Sequence, residues 1–377
     1  MIFSHGMEPV MIRVLVVDDS SFMRHGLTTI LEQDPEIKVV GTARDGEDAL
    51  RKVAELDIDA MTLDVEMPRL NGIETLKRLM ATKPVPVLMV SSLTESGAES
   101  TLKAMENGAL DFIPKTMSND KDAFANELRH KIKAIARKKN LVRLMHRHTL
   151  HANTAPKSAI APSSPILSKP ASLAHQKSKS PHCPGRGARD LVVIGVSTGG
   201  PPVVQKILSA LPADLPACIL IAQHMPATFT GPFAKRLDGM SKISVTEAVD
   251  GDKLKNGHAY VCPGGKHIGI RLKGPLPEVA VTDHPRDALY KPTVNVLMES
   301  AGNFMGPRTV GVMLTGMGSD GVDGAKVLRE KGGLLIAQSE DSCVVYGMPK
   351  AVIDADLATQ ILDADDIANA IVAAVRG

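Results

Sequence analysis

The sequence predicts two α/β domains, each built on a doubly wound and mainly parallel sheet, joined by a linker. Three observations predict this organisation. The chain has 377 residues, which is enough for two domains. Short apolar runs alternate with helical patterns in two separate regions. Aromatic residues make up only 3% of the chain and Trp is absent, so aliphatic residues must fill the cores, as is typical of buried parallel sheets.

The first region alternates five strand-like runs with five helical patterns, which predicts a parallel sheet covered on both faces. We predict that this domain spans residues 11–137, after an N-terminal extension of residues 1–10. The predicted strands are 14–17, 38–41, 60–63, 85–90 and 111–113. The predicted helices are 22–31, 47–54, 73–80, 98–105 and 121–135.

Periodicity disappears between the two regions. Six prolines stand between residues 156 and 184 among Ser, Lys, His and Ala. No Asp or Glu occurs between Glu127 and Asp190. This composition predicts a flexible, basic linker over residues 138–188.

The second region, residues 189–377, repeats the alternation and predicts a second α/β domain. Its strand-like runs are 191–194, 218–222, 259–261, 309–314 and 334–337. Its clearest helical patterns are 203–211, 294–301 and 322–330.

Composition also restricts the class of protein. The four cysteines are scattered without a C-x-x-C pair, which argues against a disulfide framework or a zinc site and fits a reducing cytoplasm. No apolar run approaches the ~20 residues of a membrane span, and the first ten residues lack a signal-peptide pattern. We therefore expect a cytoplasmic protein without membrane insertion. The net charge of +2 does not by itself decide for or against nucleic acid.

Acidic side chains follow two predicted strands of the first region. Asp18 and Asp19 follow the first strand, and Asp64 follows the third. Because the carboxyl ends of parallel strands meet at one edge of a sheet, these carboxylates converge there and offer the hard oxygen ligands that Mg²⁺ prefers. Ser91 and Lys115 follow the fourth and fifth strands and complete a candidate site for phosphoryl transfer to a carboxylate. The alternative for the first two acids alone is a helix cap.

The motifs VLVVDDS, LDVEMPRLNG, MVSSLT and DFIPK resemble the receiver domains of two-component response regulators. The resemblance covers about 11–135 and implies a flavodoxin-like (βα)5 fold that a histidine kinase phosphorylates. Thr116 departs from the family, which usually has Pro after the Lys. The implied roles are phosphoacceptor for Asp64, Mg²⁺ ligands for Asp18, Asp19, Asp64 and the Glu66 carbonyl, switch hydroxyl for Ser91 and phosphate partner for Lys115.

A glycine-rich turn follows the first strand of the second region. The segment Gly195–Gly200 has the G-x-S-x-G form that exposes a serine hydroxyl, here Ser197, at a sharp strand-to-helix turn. Alone, this motif fits a structural turn or a phosphate loop equally well. A dinucleotide loop is disfavoured, since it needs Gly in place of Ser197 and an acid after the next strand. Gln223 and His224 stand there instead.

His224 and Asp320 complete a candidate triad with Ser197. His224 follows the strand 218–222, and Asp320 follows the strand 309–314 within LTGMGSDG. Taken singly, the histidine is more often structural and the aspartate a turn residue. All three, however, follow strands at the same edge of the sheet, as a nucleophile, a base and an orienting acid require. The order Ser, His, Asp differs from the Ser, Asp, His order of α/β-hydrolases.

The motifs IGVSTGG, QHMP, GHAYVCPGG, LTGMGSDG and QSEDSCVVYGMP resemble the catalytic domain of chemotaxis methylesterases, the CheB family. The resemblance covers about 190–377 and implies a Rossmann-like doubly wound esterase domain that uses the triad without a cofactor. It places Thr198 beside the nucleophile and the backbone N–H of Met317 in the oxyanion hole. Receiver, linker and esterase in this order are that family's architecture. The segment 290–297, YKPTVNVL, departs from the expected R-P-S-V-D-V-L.

This resemblance implies phosphorylation-activated hydrolysis of glutamate γ-methyl esters on methyl-accepting chemoreceptors, with release of methanol, and deamidation of receptor glutamines. A chemotaxis histidine kinase is the implied phosphodonor. A DNA-binding response regulator is disfavoured, because the output region is nearly 190 residues long and has esterase motifs, so we expect no nucleic-acid partner. A non-catalytic adaptor that kept the receiver and the fold is the remaining alternative.

Overall fold

The computed structural model describes residues 11–115, 121–139, 189–274 and 276–377. The predicted N-terminal extension, Thr116 and nearly all of the predicted linker lie outside these residues, so the domain boundaries stay predictions. Within the ranges described, no helix combines the length and the apolar character needed to cross a membrane.

The first domain is a parallel sheet of five strands in the order β2-β1-β3-β4-β5, as the sequence predicts. Its strands are β1 (Ile12–Val17), β2 (Ile37–Ala43), β3 (Ala60–Asp64), β4 (Val87–Ser91) and β5 (Asp111–Pro114). Its helices are α1 (Ser21–Leu31), α2 (Gly46–Glu55), α3 (Gly72–Thr82), α4 (Glu95–Glu106) and α5 (Lys121–Ala136).

The second domain contains a seven-stranded parallel sheet in the order β14-β13-β12-β6-β7-β9-β8 and an antiparallel hairpin. The sheet strands are β6 (Leu191–Val196), β7 (Cys218–Gln223), β8 (Ser244–Glu247), β9 (His258–Val261), β12 (Thr309–Met313), β13 (Leu334–Gln338) and β14 (Gln360–Leu362). The hairpin strands are β10 (His267–Lys273) and β11 (Leu276–Thr282). The helices are α6 (Gly200–Ala210), α7 (Ala227–Met240), α8 (Val294–Met305), α9 (Val322–Glu330), α10 (Met348–Asp354) and α11 (Ala364–Arg376).

Three adjacent central strands position the candidate site. Every residue of β12, β6 and β7 is buried, which explains their continuous apolar sequences, since helices cover both faces of the sheet. The three strands run in parallel, so their carboxyl ends lie at one edge. The loops that leave this edge carry Ser197, His224 and Asp320.

The two domains are in contact. The ring of Phe112 in β5 stacks on Phe229 in α7, with centroids 4.5 Å apart and planes 20° apart. Glu106, the last residue of α4, forms an ion pair with Arg236 of α7. One aromatic and one ionic contact thus join the receiver-like domain to a helix that directly follows β7.

Candidate active site

Ser197, His224 and Asp320 meet at the carboxyl edge of the second sheet. The Oγ of Ser197 lies 3.1 Å from Nδ1 of His224. The Nε2 of the same imidazole lies 2.8 Å from Oδ2 of Asp320. Both are hydrogen-bond distances, so hydrogen bonds connect the three side chains in the order Ser197, His224, Asp320.

The turn after β6 presents the serine hydroxyl because glycine follows it closely. Gly199 has a φ of +74°, and a Cβ there would lie 2.4 Å from Cβ of Val344. Only glycine adopts this left-handed conformation without strain in so narrow a space. The N–H of Ser197 donates to the carbonyl of Thr315, 3.0 Å away, which ties the nucleophile turn to the loop after β12.

The hydrogen bonds of His224 define which ring nitrogen is protonated. An ionised carboxylate only accepts hydrogen bonds, so the Nε2–H must donate to Asp320. Nδ1 is then unprotonated and accepts the O–H of Ser197. The two nitrogens have exchanged roles relative to the trypsin-type triad, in which Nε2 faces the serine. In a neutral imidazole the unprotonated nitrogen is the base, and the tautomer decides whether this is Nδ1 or Nε2.

Asp320 is held as an anion by the start of helix α8. Its carboxylate accepts hydrogen bonds from the Thr293 hydroxyl at 2.5 Å, the Val294 N–H at 2.7 Å and the Asn295 N–H at 3.3 Å. Burial alone raises the pKa of Asp320, but the bonds from His224, Thr293 and Val294 outweigh it, so the pKa lies below its usual value. The positive end of the helix dipole favours the same charged state.

Tyr290 is a site residue that the sequence did not predict. Its ring lies almost parallel to the His224 imidazole, with centroids 4.4 Å apart and planes 11° apart. Burial, and then the charge of Asp320, raise the pKa of the Tyr290 phenol. Two features of the sequence could have pointed to Tyr290. The chain has only three tyrosines, and Tyr290 stands in the segment that departs from the family pattern.

Two backbone N–H groups near the nucleophile are available to an oxyanion. Thr198 directly follows Ser197 and is buried, and Met317 lines the same cavity as Ser197. Across the described ranges, the backbone N–H groups of Thr198 and Met317 donate no hydrogen bond. Both donors therefore remain for a substrate oxygen, and their catalytic roles stay predictions.

The first domain brings the predicted acidic side chains together. Lys115 Nζ lies 2.9 Å from a carboxylate oxygen of Asp18 and 2.7 Å from one of Asp64. Carboxylate oxygens of Asp18, Asp19 and Asp64 lie within 4.8 Å of one another. Three hard oxygen donors in this space fit Mg²⁺. Burial raises the pKa of Asp64 to about 6 despite the opposing effect of Lys115, so a bound cation would favour the ionised carboxylate.

Ser91 and Glu66 flank the acidic cluster. Ser91 is buried, and its hydroxyl is 3.2 Å from the carbonyls of both Ser92 and Gly97. In this structure it therefore bonds to the loop after β4 and to the first turn of α4. The backbone N–H of Glu66 donates to Asp64 across 3.4 Å. The predicted roles of the Glu66 carbonyl as a ligand and of Ser91 as a switch stay predictions.

A cavity of about 700 Å³ lies between the two domains, and the nucleophile and base of the candidate triad face it. Ser197 and His224 line one side of it. Helix α5 of the first domain lines the other side through Asp122, Glu127 and neighbouring residues. The receiver-like domain thus lies directly over the candidate nucleophile.

Comparisons with known proteins agree with this architecture. Residues 192–371 match the CheB methylesterase family and residues 14–126 match the response regulator receiver domain. A protein-glutamate methylesterase/protein-glutamine glutaminase of Lawsonia intracellularis is 53% identical over 371 residues, covering 97% of this chain and 99% of the relative. A second protein of that name, from Nitratidesulfovibrio vulgaris, is 56% identical over 366 residues, covering 96% and 98%.

A solved structure is also similar. The crystal structure of the Thermotoga maritima CheB methylesterase catalytic domain has 37% sequence identity and a TM-score of 0.48, and the match covers 50% of this chain and 99% of that one. Family membership rests on the nearly full-length relatives and on the two matching domain families. The chain belongs to the family of CheB methylesterases that carry a response regulator receiver domain.

Proposed function

We propose that this protein hydrolyses glutamate γ-methyl esters on methyl-accepting chemoreceptors and deamidates receptor glutamines, under the control of its receiver. The observation that carries this proposal is the hydrogen-bonded series from Ser197 through His224 to Asp320. The names of the relatives supply the substrate class. A non-catalytic adaptor would not need an anionic Asp320 aligned on the base.

The geometry supports a two-step acyl transfer. His224 accepts the Ser197 proton on Nδ1 while Oγ attacks the ester carbonyl, and Asp320 stabilises the imidazolium that forms. The free N–H groups of Thr198 and Met317 would stabilise the oxyanion. The imidazolium then protonates the leaving methoxide as the acyl-enzyme forms. Water attacks this acyl-enzyme with His224 as base, which gives glutamate and free Ser197.

Glutamine follows the same route with ammonia as the leaving group. The amide nitrogen must be protonated before its bond to carbon breaks, and the imidazolium of His224 is placed to do so. One site therefore accounts for both activities in the name of the relatives.

The receiver site supports phosphorylation of Asp64 by a chemotaxis histidine kinase. Asp18, Asp19 and Asp64 would hold Mg²⁺, which when bound neutralises the charge on the transferring group. Lys115 already contacts Asp18 and Asp64 and would pair with the new phosphoryl oxygens. We infer that the protein works in the cytoplasm, together with its kinase.

We further propose that the receiver domain prevents the chemoreceptor from reaching Ser197 and that phosphorylation of Asp64 restores this access. Residues of α5 line the cavity opposite Ser197 and His224, in the space through which a receptor helix, about 10–12 Å across with its side chains, would have to approach. A receptor helix therefore cannot reach Ser197 while α5 covers the site. Strand β5 carries Phe112 and is followed directly by Lys115, so a displacement of Lys115 by the phosphoryl group would be transmitted to the stack of Phe112 on Phe229.

The test is methanol release from a methylated receptor fragment, with and without a small phosphodonor and Mg²⁺. We expect the wild-type rate to rise with the phosphodonor and the Asp64→Asn rate to stay at the basal level in both conditions. The same fragment carrying glutamine should release ammonia under the same control. Absence of methanol from the activated wild type would contradict the proposal.

A further inference from the structure

Tyr290 joins the candidate base to the loop that carries the candidate acid. One face of its ring covers the His224 imidazole at a centroid separation of 4.4 Å. Its hydroxyl oxygen lies 3.9 Å from the position that a Cβ on Gly318 would occupy. Gly318 stands between Met317 and Asp320 in the loop after β12. The ring thus spans from the imidazole to this loop.

The segment 290–294 contacts two members of the triad. Tyr290 covers the base, and the Thr293 hydroxyl and the Val294 N–H bind the Asp320 carboxylate. The hydrogen bonds to His224 fix the two edges of its ring but leave the tilt of the ring plane free. A parallel aromatic ring restricts that tilt, because stacked rings prefer a narrow range of offsets and angles.

The stacked ring also favours the charged form of the base. The face of an aromatic ring is electronegative and attracts a cation within about 6 Å of its centroid. His224 becomes a cation when it takes the serine proton. The other charged or titratable groups near it are Asp320, which it contacts, and five that line the same cavity, namely Asp122, Glu127, His130, Lys131 and Lys291.

We propose that Tyr290 is a positioning residue for His224. Its ring holds the imidazole with Nδ1 toward Ser197 and Nε2 toward Asp320, and it stabilises the imidazolium formed during acyl transfer. This inference rests on the proposed esterase function, although it concerns a residue outside the triad. The aromatic ring is the operative group, and the hydroxyl is dispensable.

The test compares Tyr290→Leu with Tyr290→Phe in the full-length protein, activated with beryllofluoride and Mg²⁺. Two rates are measured against pH: methanol release, and covalent labelling of Ser197 by a small fluorophosphonate, which needs no receptor. For Tyr290→Leu we expect kcat and the labelling rate to fall about three- to tenfold. Its acid limb should also move to lower pH by about half a unit to one unit, because the imidazolium loses a stabilising partner. Tyr290→Phe should keep at least about half of the wild-type rate and the same acid limb.

Two results with the leucine and phenylalanine variants would overturn the proposal. The first is an unchanged acid limb and labelling rate in Tyr290→Leu, which would reduce Tyr290 to a packing residue. The second is an equal loss in Tyr290→Phe, which would assign the effect to the hydroxyl. If the leucine variant unfolds, Tyr290→Trp replaces it, and a rate tenfold below that of Tyr290→Phe with unchanged thermal stability would contradict the stacking role. Ser197 labelling without methanol release in the wild type would refute the proposed substrate and still leave the Tyr290 comparison measurable.

Discussion

Glu106 of the receiver and Arg236 of the catalytic domain form an ion pair across the domain interface, and neither residue belongs to the triad or to the acidic cluster. We predict that Glu106→Gln raises the esterase rate of the unphosphorylated protein. The substitution keeps the size of the side chain and removes only its charge. The closed arrangement, in which the receiver domain lies over Ser197, then loses a stabilising interaction. The open arrangement, in which the two domains are apart at this contact, does not have that interaction to lose.

The magnitude follows from how exposed the pair is. The two side chains retain 24% and 29% of their accessible surface, so the pair is neither fully solvated nor fully buried. An interaction of this kind contributes about 0.5–1 kcal/mol. While the closed form predominates, its loss raises the open fraction, and with it the basal rate, about two- to fivefold. The activated rate should stay unchanged, because the activated enzyme is already open.

The assay is methanol release with and without beryllofluoride, with Glu99→Gln as the matched control. Glu99 lies on the same helix, is exposed, and has no ion pair among the residues that the structure describes. The double variant Glu106→Arg/Arg236→Glu should return the basal rate toward the wild-type value. Equal basal rates in the Glu106 and Glu99 variants, or a parallel rise in the activated rate, would refute the proposed role of this contact.

Three further predictions concern the acid of the triad and its support. Asp320→Asn should lower kcat for methanol release about 10³- to 10⁴-fold, because an amide does not hold the imidazole in the required tautomer; a loss below tenfold would contradict the triad. The folded-state pKa of Asp320 lies below its usual 3.8, so its stabilising effect is present above about pH 4 and is lost as the pH falls further. The melting temperature of Asp320→Asn should therefore depend less on pH in this acidic range than that of the wild type. The Asn295 side chain accepts from the N–H groups of Gly321 and Gly324 at 3.0 and 2.9 Å. Asn295→Ala should therefore lower the free energy of unfolding by about 1 kcal/mol, whereas Asn295→Asp should keep the cap and the melting temperature.

The central strands were predictable because both sheets are parallel and covered on both faces. Such strands are continuous apolar runs, and β6 and β7 are buried along their whole length. The edge strands β8 and β14 lack this signal, since each is short and largely exposed. Their pairing depends on the neighbouring strand rather than on their own sequence.

The candidate triad was predictable because topology alone brings the ends of β6, β7 and β12 together. Its finer arrangement was not. The stacking of Tyr290 on His224 joins residues 66 positions apart, and the exchange of ring nitrogens depends on side-chain torsions that no motif records. The departure at Asn295 has a simple structural explanation, because its oxygen caps α9 as the oxygen of an aspartate also can.

The proposed function depends most directly on Ser197 as the nucleophile. The decisive measurement is methanol release from a methylated receptor fragment by the phosphorylated protein, compared with its Ser197→Ala variant. We expect release by the wild type and a rate at the uncatalysed background in the variant, with the fold unchanged. Equal release by both proteins would contradict the role of Ser197 and place the nucleophile elsewhere.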